Sequence, residues 1–225
     1  IKKAALAYYD FLAKNVDIAA SDKNEKFSII QEQDRSVSVL IKKAGKDSIK
    51  ELYKRKFDPR ETNEIRLYGL GGNDVFAVSG EQPSPIKIRM IGGDGNDIFQ
   101  VDPALKQPRK HVIYDRSDQK NTYPARANAR LQTSADSMVN AYNKEAFQYD
   151  YYFPLPGLGY NTEDGVRLTL GFTAEKHGFR SDPYIFRQEF QAGYTLSKKS
   201  LMFTYKGDFK KLIGNNDLGR NILSS

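Results

Sequence analysis

The residues with the clearest chemical potential are glycines and aspartates packed into one run, Gly92-Gly93-Asp94-Gly95-Asn96-Asp97-Ile98-Phe99-Gln100. This run matches the whole pattern G-G-x-G-x-D-x-U-x of calcium-binding β-rolls. Glycines let the backbone turn through positive φ and aim carbonyl oxygens inward, while the aspartate adds a charged oxygen. Calcium takes about six to eight such hard oxygen ligands at roughly 2.3–2.6 Å. An earlier copy, Gly69-Leu70-Gly71-Gly72-Asn73-Asp74, carries Leu70 where the pattern asks for its second glycine. The expected cofactor is therefore calcium, with Asp74, Asp94 and Asp97 as carboxylate ligands and the backbone at Gly72 and Gly95. The competing reading makes both runs plain tight turns, in which Asn-Asp caps its own backbone.

Other candidates for chemistry are thin. The two histidines, His111 and His177, stand in unrelated contexts, so a histidine metal centre or a nucleophile–histidine triad has little to work with, and each is expected to pack or to face solvent. Glu163-Asp164 is followed by Gly165 and reads as a turn before a strand. Gly157-Leu158-Gly159 is flanked by proline with no helix after it, which excludes a phosphate-cradling loop. No catalytic residue is expected in this segment.

The elements that must position the turns come from periodicity. Leu6, Tyr9, Leu12 and Val16 place an apolar stripe on a helix over Ala4 to Val16, which needs a docking surface. Strands over Phe27–Gln31, Ser36–Lys42 and Glu51–Phe57 form an antiparallel meander. Next comes an ungapped repeat with a period of 23 residues, Glu64 to Val78 on Lys87 to Val101, with a degenerate third copy over Lys110 to Asp118. Each copy is strand, glycine turn, strand, and a fixed period of this kind is the signature of stacked solenoid rungs. In regular rolls, turns on one side recur every 18 residues, so the longer period here is a departure. Stacking would still bring Asp74 and Asp97 within about one strand spacing, roughly 4.8 Å. Two carboxylates so close repel unless a cation intervenes.

The polar stretch over residues 126–146 reads as a linker, dividing a helix-plus-β module over 1–125 from a strand-rich segment over 147–225. In that segment Val166, Leu168, Leu170 and Phe172 alternate on one face, as do Phe190, Ala192, Tyr194 and Leu196, then Leu201, Phe203 and Tyr205. Ser197-Lys198-Lys199-Ser200 reads as a tight hairpin between them. The fold expected overall is mostly β: a short N-terminal helix, an antiparallel meander, β-roll-like rungs, then long antiparallel strands as an incomplete barrel or open sheet.

Composition bounds the function classes. The 225 residues carry a net charge of +7 and no cysteine, which excludes disulfides and thiolate chemistry. No apolar run approaches the roughly 18 residues of a membrane-spanning helix. The Lys and Arg residues are scattered, without a basic helix or a recognisable nucleic-acid module, so nucleic acid is not an expected partner. The start lacks an initiator methionine and a signal-peptide core, so a fragment or processed product is expected.

Three stretches, Glu61-Thr62-Asn63-Glu64-Ile65-Arg66-Leu67-Tyr68-Gly69-Leu70-Gly71-Gly72-Asn73-Asp74-Val75-Phe76, Gly159-Tyr160-Asn161-Thr162-Glu163-Asp164-Gly165-Val166 and Gly178-Phe179-Arg180-Ser181-Asp182-Pro183-Tyr184, carry a resemblance. With them, residues 8 to 118 and 147 to 217 resemble a region of large Bacteroidetes outer-membrane proteins. In those proteins an upstream calcineurin-like metallophosphoesterase is joined to a C-terminal barrel of the surface-antigen/barrel-assembly type. The resemblance implies a periplasmic linking module followed by the first barrel strands, in the cell envelope. The phosphoesterase's metal-ligand motifs are absent, so no catalytic residue carries over. The partners it implies are the remainder of the same polypeptide and outer-membrane lipid, with self-association of exposed strands as a further consequence. The alternatives are an accessory region of a metallophosphoesterase whose catalytic domain lies outside this chain, and a soluble surface adhesin or glycan-binding β-protein, the latter suggested by 14 tyrosines and 13 phenylalanines.

Overall fold

The computed structural model describes residues 2–45, 50–163, 165–181, 183–213 and 216–224, and the chain divides into two units, Ile1–Asn143 and Lys144–Ser225. It is mostly β, as the sequence predicts, and its three five-stranded sheets are open. No helix among the described residues is long and apolar enough to cross a membrane.

The first unit is a two-sheet solenoid with a hairpin inserted. Its strands in chain order are β1 (Asn15–Ala19), β2 (Glu25–Gln31), β3 (Val37–Lys43), β4 (Glu51–Phe57), β5 (Glu64–Gly71), β6 (Val75–Gly80), β7 (Lys87–Asp94), β8 (Ile98–Val101), β9 (His111–Arg116) and β10 (Arg130–Ser134). One sheet runs β1-β5-β7-β9-β10, parallel throughout; the other runs β4-β3-β2-β6-β8, with β2, β6 and β8 parallel and β2-β3-β4 the expected meander. The repeat sets the register: Glu64 pairs with Lys87, Val75 with Ile98, and Ile88 with His111.

The structure adds a rung that periodicity does not reveal. Asn15 pairs with Glu64 and Lys26 with Val75, so β1 and β2 form a first rung ahead of the glycine-bearing ones. The β3-β4 hairpin is inserted between this rung and the next.

Alternation in each strand drives one set of side chains inward. Ile65, Leu67, Ile88, Met90 and Ile113 face Phe27, Ile29, Phe76, Phe99 and the hairpin's Val39 and Ile41, all of them buried. Phe27, Phe76, Phe99 and Tyr123 stack as a column with successive ring centroids 4.2, 4.9 and 5.8 Å apart. Full burial of one such ring contributes about 1.5–3 kcal/mol.

Residues 126–146, expected as a linker, contribute β10 and a short 3-10 turn, Ser137–Asn140, to the first unit. Tyr142 meets Tyr68 edge-on at 4.8 Å, and Tyr68, Ile91 and Tyr114 on the outer face of the first sheet are buried. The helix α1 (Lys2–Ala13) ends before Val16, which belongs to β1 and packs against the core. Leu6, Tyr9 and Leu12 are each more than half exposed, so the expected stripe meets no surface within the first unit.

The second unit is a single antiparallel sheet in simple order, β11 (Tyr151–Asn161), β12 (Gly165–Lys176), β13 (Phe186–Thr195), β14 (Ser200–Ile213) and β15 (Asn216–Ser224). Thr195 pairs with Ser200 across the predicted hairpin.

Candidate functional site in the corner turns and on the open sheet

The two glycine turns lie at one corner of the solenoid, stacked in register, and their Asn-Asp side chains bond the backbone of neighbouring rungs. The backbone N–H of Asn73 donates to Asn24 Oδ1 at 2.8 Å, that of Asn96 to Asn73 Oδ1 at 2.8 Å, and that of Lys120 to Asn96 Oδ1 at 3.0 Å. The aspartates run the opposite way. The backbone N–H of Glu25 donates to Asp74 Oδ1 at 2.7 Å, that of Asp74 to Asp97 Oδ1 at 2.8 Å, and that of Asp97 to Asn121 Oδ1 at 2.7 Å. Adjacent side chains thus clamp each rung to the one before and the one after. This satisfies the turn N–H groups that a tight corner would otherwise leave unpaired.

The glycines make the close stacking possible. A Cβ at Gly95 would collide with the Gly72 carbonyl oxygen, and one at Gly92 would strike Asp97 Oδ2 and lie 2.6 Å from Asp115 Oδ1. Leu70, at the position of Gly93 in the next rung, holds φ +73, a left-handed conformation that side chains rarely adopt.

The sequence-predicted ligands separate into two groups. Asp74 and Asp97 are buried, and each has an outer oxygen, Oδ2, without a hydrogen-bond partner; Glu25 Oε2 is in the same state. Asp94 instead is exposed and pairs with Arg116 at 2.7 Å, which also holds Asp118. The N–H of Gly72 donates to the Asp94 carbonyl, and the carbonyls of Asp74 and Asp97 accept from Ile98 and Thr122, so turn carbonyls are engaged in rung-to-rung bonds. Among the described residues, no group of three or more acidic or histidine side chains is placed to hold a metal ion. Of the five expected ligands, Asp74 and Asp97 meet at the buried corner, Gly72 and Gly95 stack beside them, and the Asp94 side chain turns away to Arg116.

What the corner does gather is buried carboxylates. Burial pushes Asp74 up to about 8, with the Asp97 and Glu25 carboxylates adding to the rise. Burial likewise lifts Asp97 to about 6 and Asp115 to about 7. Tyr123 Oη donates to Asp115 Oδ2 at 3.2 Å. Glu25 and Asp115 lie outside the glycine pattern. Asp115 stands where Gly92 and Gly69 stand in the earlier rungs, and only the 23-residue register points to it.

His111, expected to pack or to face solvent, is fully buried in a polar network. Ser84 N–H donates to Gln31 Oε1 at 2.9 Å, which turns the Gln31 amide nitrogen toward His111 Nε2 at 2.7 Å. His111 Nε2 is then the acceptor, and its Nδ1 donates to the Asn128 carbonyl at 3.2 Å. Burial lowers its pKa, in keeping with a neutral ring.

On the second unit, apolar and charged side chains are largely segregated by face. Leu168, Tyr194 and Leu201 form one cross-strand row, and Phe172, Phe190 and Tyr205 another, on a face where Leu168, Leu170, Phe172, Phe190, Leu201 and Phe203 are exposed. The opposite face carries Arg167, Thr169, Thr173, Glu175, Arg187, Glu189, Thr195 and Lys206. There Arg187 lies 2.9 Å from Glu189 and 3.7 Å from Glu175, which His177 approaches at 3.2 Å. Tyr184 Oη donates to Asp208 at 2.6 Å, and Lys210 pairs with the same carboxylate. The edge strand β11 departs from the pattern, with Phe153 and Leu155 exposed on the polar side. Glu163 is an exposed turn residue, and Asp164 lies outside the described residues. Gly157 and Gly159 are strand residues within β11. Compared with known proteins, the chain matches no family model, no curated protein and no solved structure.

Proposed function

We propose that this chain is a non-catalytic structural module of a cell-envelope protein, in which the solenoid is joined to strands of an outer-membrane β-barrel. The observation that carries the reading is the exposed apolar face of the second unit's sheet, a continuous cross-strand surface of Leu168, Leu170, Phe172, Phe190, Leu201 and Phe203 opposite the face that holds the ion pairs. A soluble sheet buries its apolar face, whereas a membrane barrel turns it to lipid and keeps charges inside. Strand lengths of 9 to 14 residues suit a tilted crossing, which takes about 9–11.

Five strands leave β11 and β15 each paired on one side only. In lipid both edges must be paired, and bacterial barrels have about eight strands or more, so the reading calls for further strands, supplied by the rest of the same polypeptide. The test is reconstitution into vesicles of the polypeptide that carries this chain together with its further strands, followed by alkaline carbonate extraction. Retention in the membrane fraction supports the reading. Complete release, with the chain still folded, would contradict it.

A calcium-stabilised corner is a second proposal, favoured by the unpartnered oxygens of Asp74, Asp97 and Glu25. Calcium there would raise the melting temperature of the full chain, and D74A/D97A would abolish that rise. If instead the buried carboxylates of Asp74, Asp97 and Glu25 are held without a cation, calcium has no effect on the melting temperature.

A further inference from the structure

The two outer faces of the solenoid treat their cations differently. On the first sheet Arg66 pairs with Glu64 and Asp17, Arg89 pairs with Glu64, and residues near 140 cover part of the face. Burial alone would raise the Glu64 carboxyl, but Arg89 and Arg66 outweigh it and hold it below its ordinary value. On the second sheet Lys26 of β2 stands directly opposite Lys42 of β3, and Lys54 of β4 stands opposite Leu40, one diagonal step away. Among the described residues none of these three lysines has a carboxylate within 4.0 Å, and Lys26 and Lys54 are exposed. Glu51, opposite Lys42, makes no ion pair with it, and Lys56 is already bound to Asp34.

Like charges directly opposite one another on a sheet are destabilising, so this pair does nothing for the fold. Around the lysines the face is partly apolar, with Ile30, Leu52 and Ile98 exposed. Three lysines whose Cβ atoms stand at opposite and diagonal sheet positions, within roughly 8 Å of their neighbours, and which are interleaved with aliphatic side chains, fit a surface of clustered phosphates beside hydrocarbon rather than one small anion. We propose that this face, centred on Lys26, Lys42 and Lys54, docks on a membrane surface bearing anionic phosphate headgroups.

The chain has no cysteine, so a single S28C reporter can be placed in the middle of the face and labelled with an environment-sensitive fluorophore. The full chain is held in non-ionic micelles and titrated with phosphatidylglycerol, phosphatidylcholine or inorganic phosphate. The expected result is a saturable response to phosphatidylglycerol alone, weakened by 0.5 M salt and reduced about 100-fold in apparent affinity by K26Q/K42Q/K54Q. The variant is expected to melt no lower than the parent, because it relieves cross-strand repulsion. An equal response to phosphatidylcholine, an unchanged response in the variant, or a response to inorganic phosphate alone would each overturn the proposal.

Discussion

At the scale of single residues, the glycine–aspartate pattern is explained by stacking geometry, and the carboxylates it buries have thermodynamic consequences. Asp74, Asp97 and Asp115 have raised folded-state pKa values, whereas in the unfolded chain each titrates near about 3.9. Their stabilising contribution is full below that value and is lost as pH rises through about 6 to 8. His111 acts with opposite sign: its depressed pKa favours the fold above about 6.5 and loses that contribution as pH falls. Thermal melts of the full chain should therefore fall from pH 5 to pH 9, and D74N/D97N, which keeps an acceptor on each side chain, should flatten most of that slope. A melting temperature that rises over this range and rises further with calcium would contradict a protonated column. Two backbone predictions accompany it. G95A should destabilise by about 2 kcal/mol or more, because its Cβ would overlap the Gly72 carbonyl oxygen at a positive φ, and L70G should stabilise by up to about 1 kcal/mol by relieving the left-handed strain. Denaturant titration reads both. Asp74 and Asp97 were legible from sequence because glycine surrounds them. Glu25 was not, since its turn, Asp22-Lys23-Asn24, contains no glycine.

At the scale of elements, rungs are held by paired ladders of asparagine and aspartate bonds that run in opposite directions. N73A removes the acceptor for Asn96 N–H and should cost about 1–2 kcal/mol, measured by urea unfolding, whereas N63A, outside the ladder, should be nearly silent. The repeat made β5 through β9 readable, and alternation gave the meander and β12 to β14. The first rung escaped because Val16 continues the helical spacing of Leu6, Tyr9 and Leu12, and because the β3-β4 hairpin displaces its register from the 23-residue period. Strand β10 escaped for another reason. Arg130-Leu131-Gln132-Thr133-Ser134 is polar and almost wholly exposed, and it is held by backbone pairing to β9 rather than by a buried face.

At the scale of the whole molecule, two units of different construction share one chain: a solenoid with a buried aromatic column, and an open sheet whose apolar side is exposed. The alternation that places Leu168, Leu170 and Phe172 together was plain in the sequence, but which face would be covered was not, because a period of two reads the same in water and in lipid. The barrel reading predicts that the full chain needs detergent or lipid to stay dispersed, and that on removal of detergent it self-associates through the apolar face and the strand edges. The most direct measurement is a single-cysteine scan of this chain within the polypeptide that supplies its further strands, in liposomes, comparing L170C, F190C and F203C with T169C, Q191C and T204C. Resistance of the first set to a water-soluble maleimide, with lipid-soluble probes quenched there and the second set labelled, is the predicted result. Equal aqueous labelling of both sets in a folded, vesicle-associated chain would contradict the account.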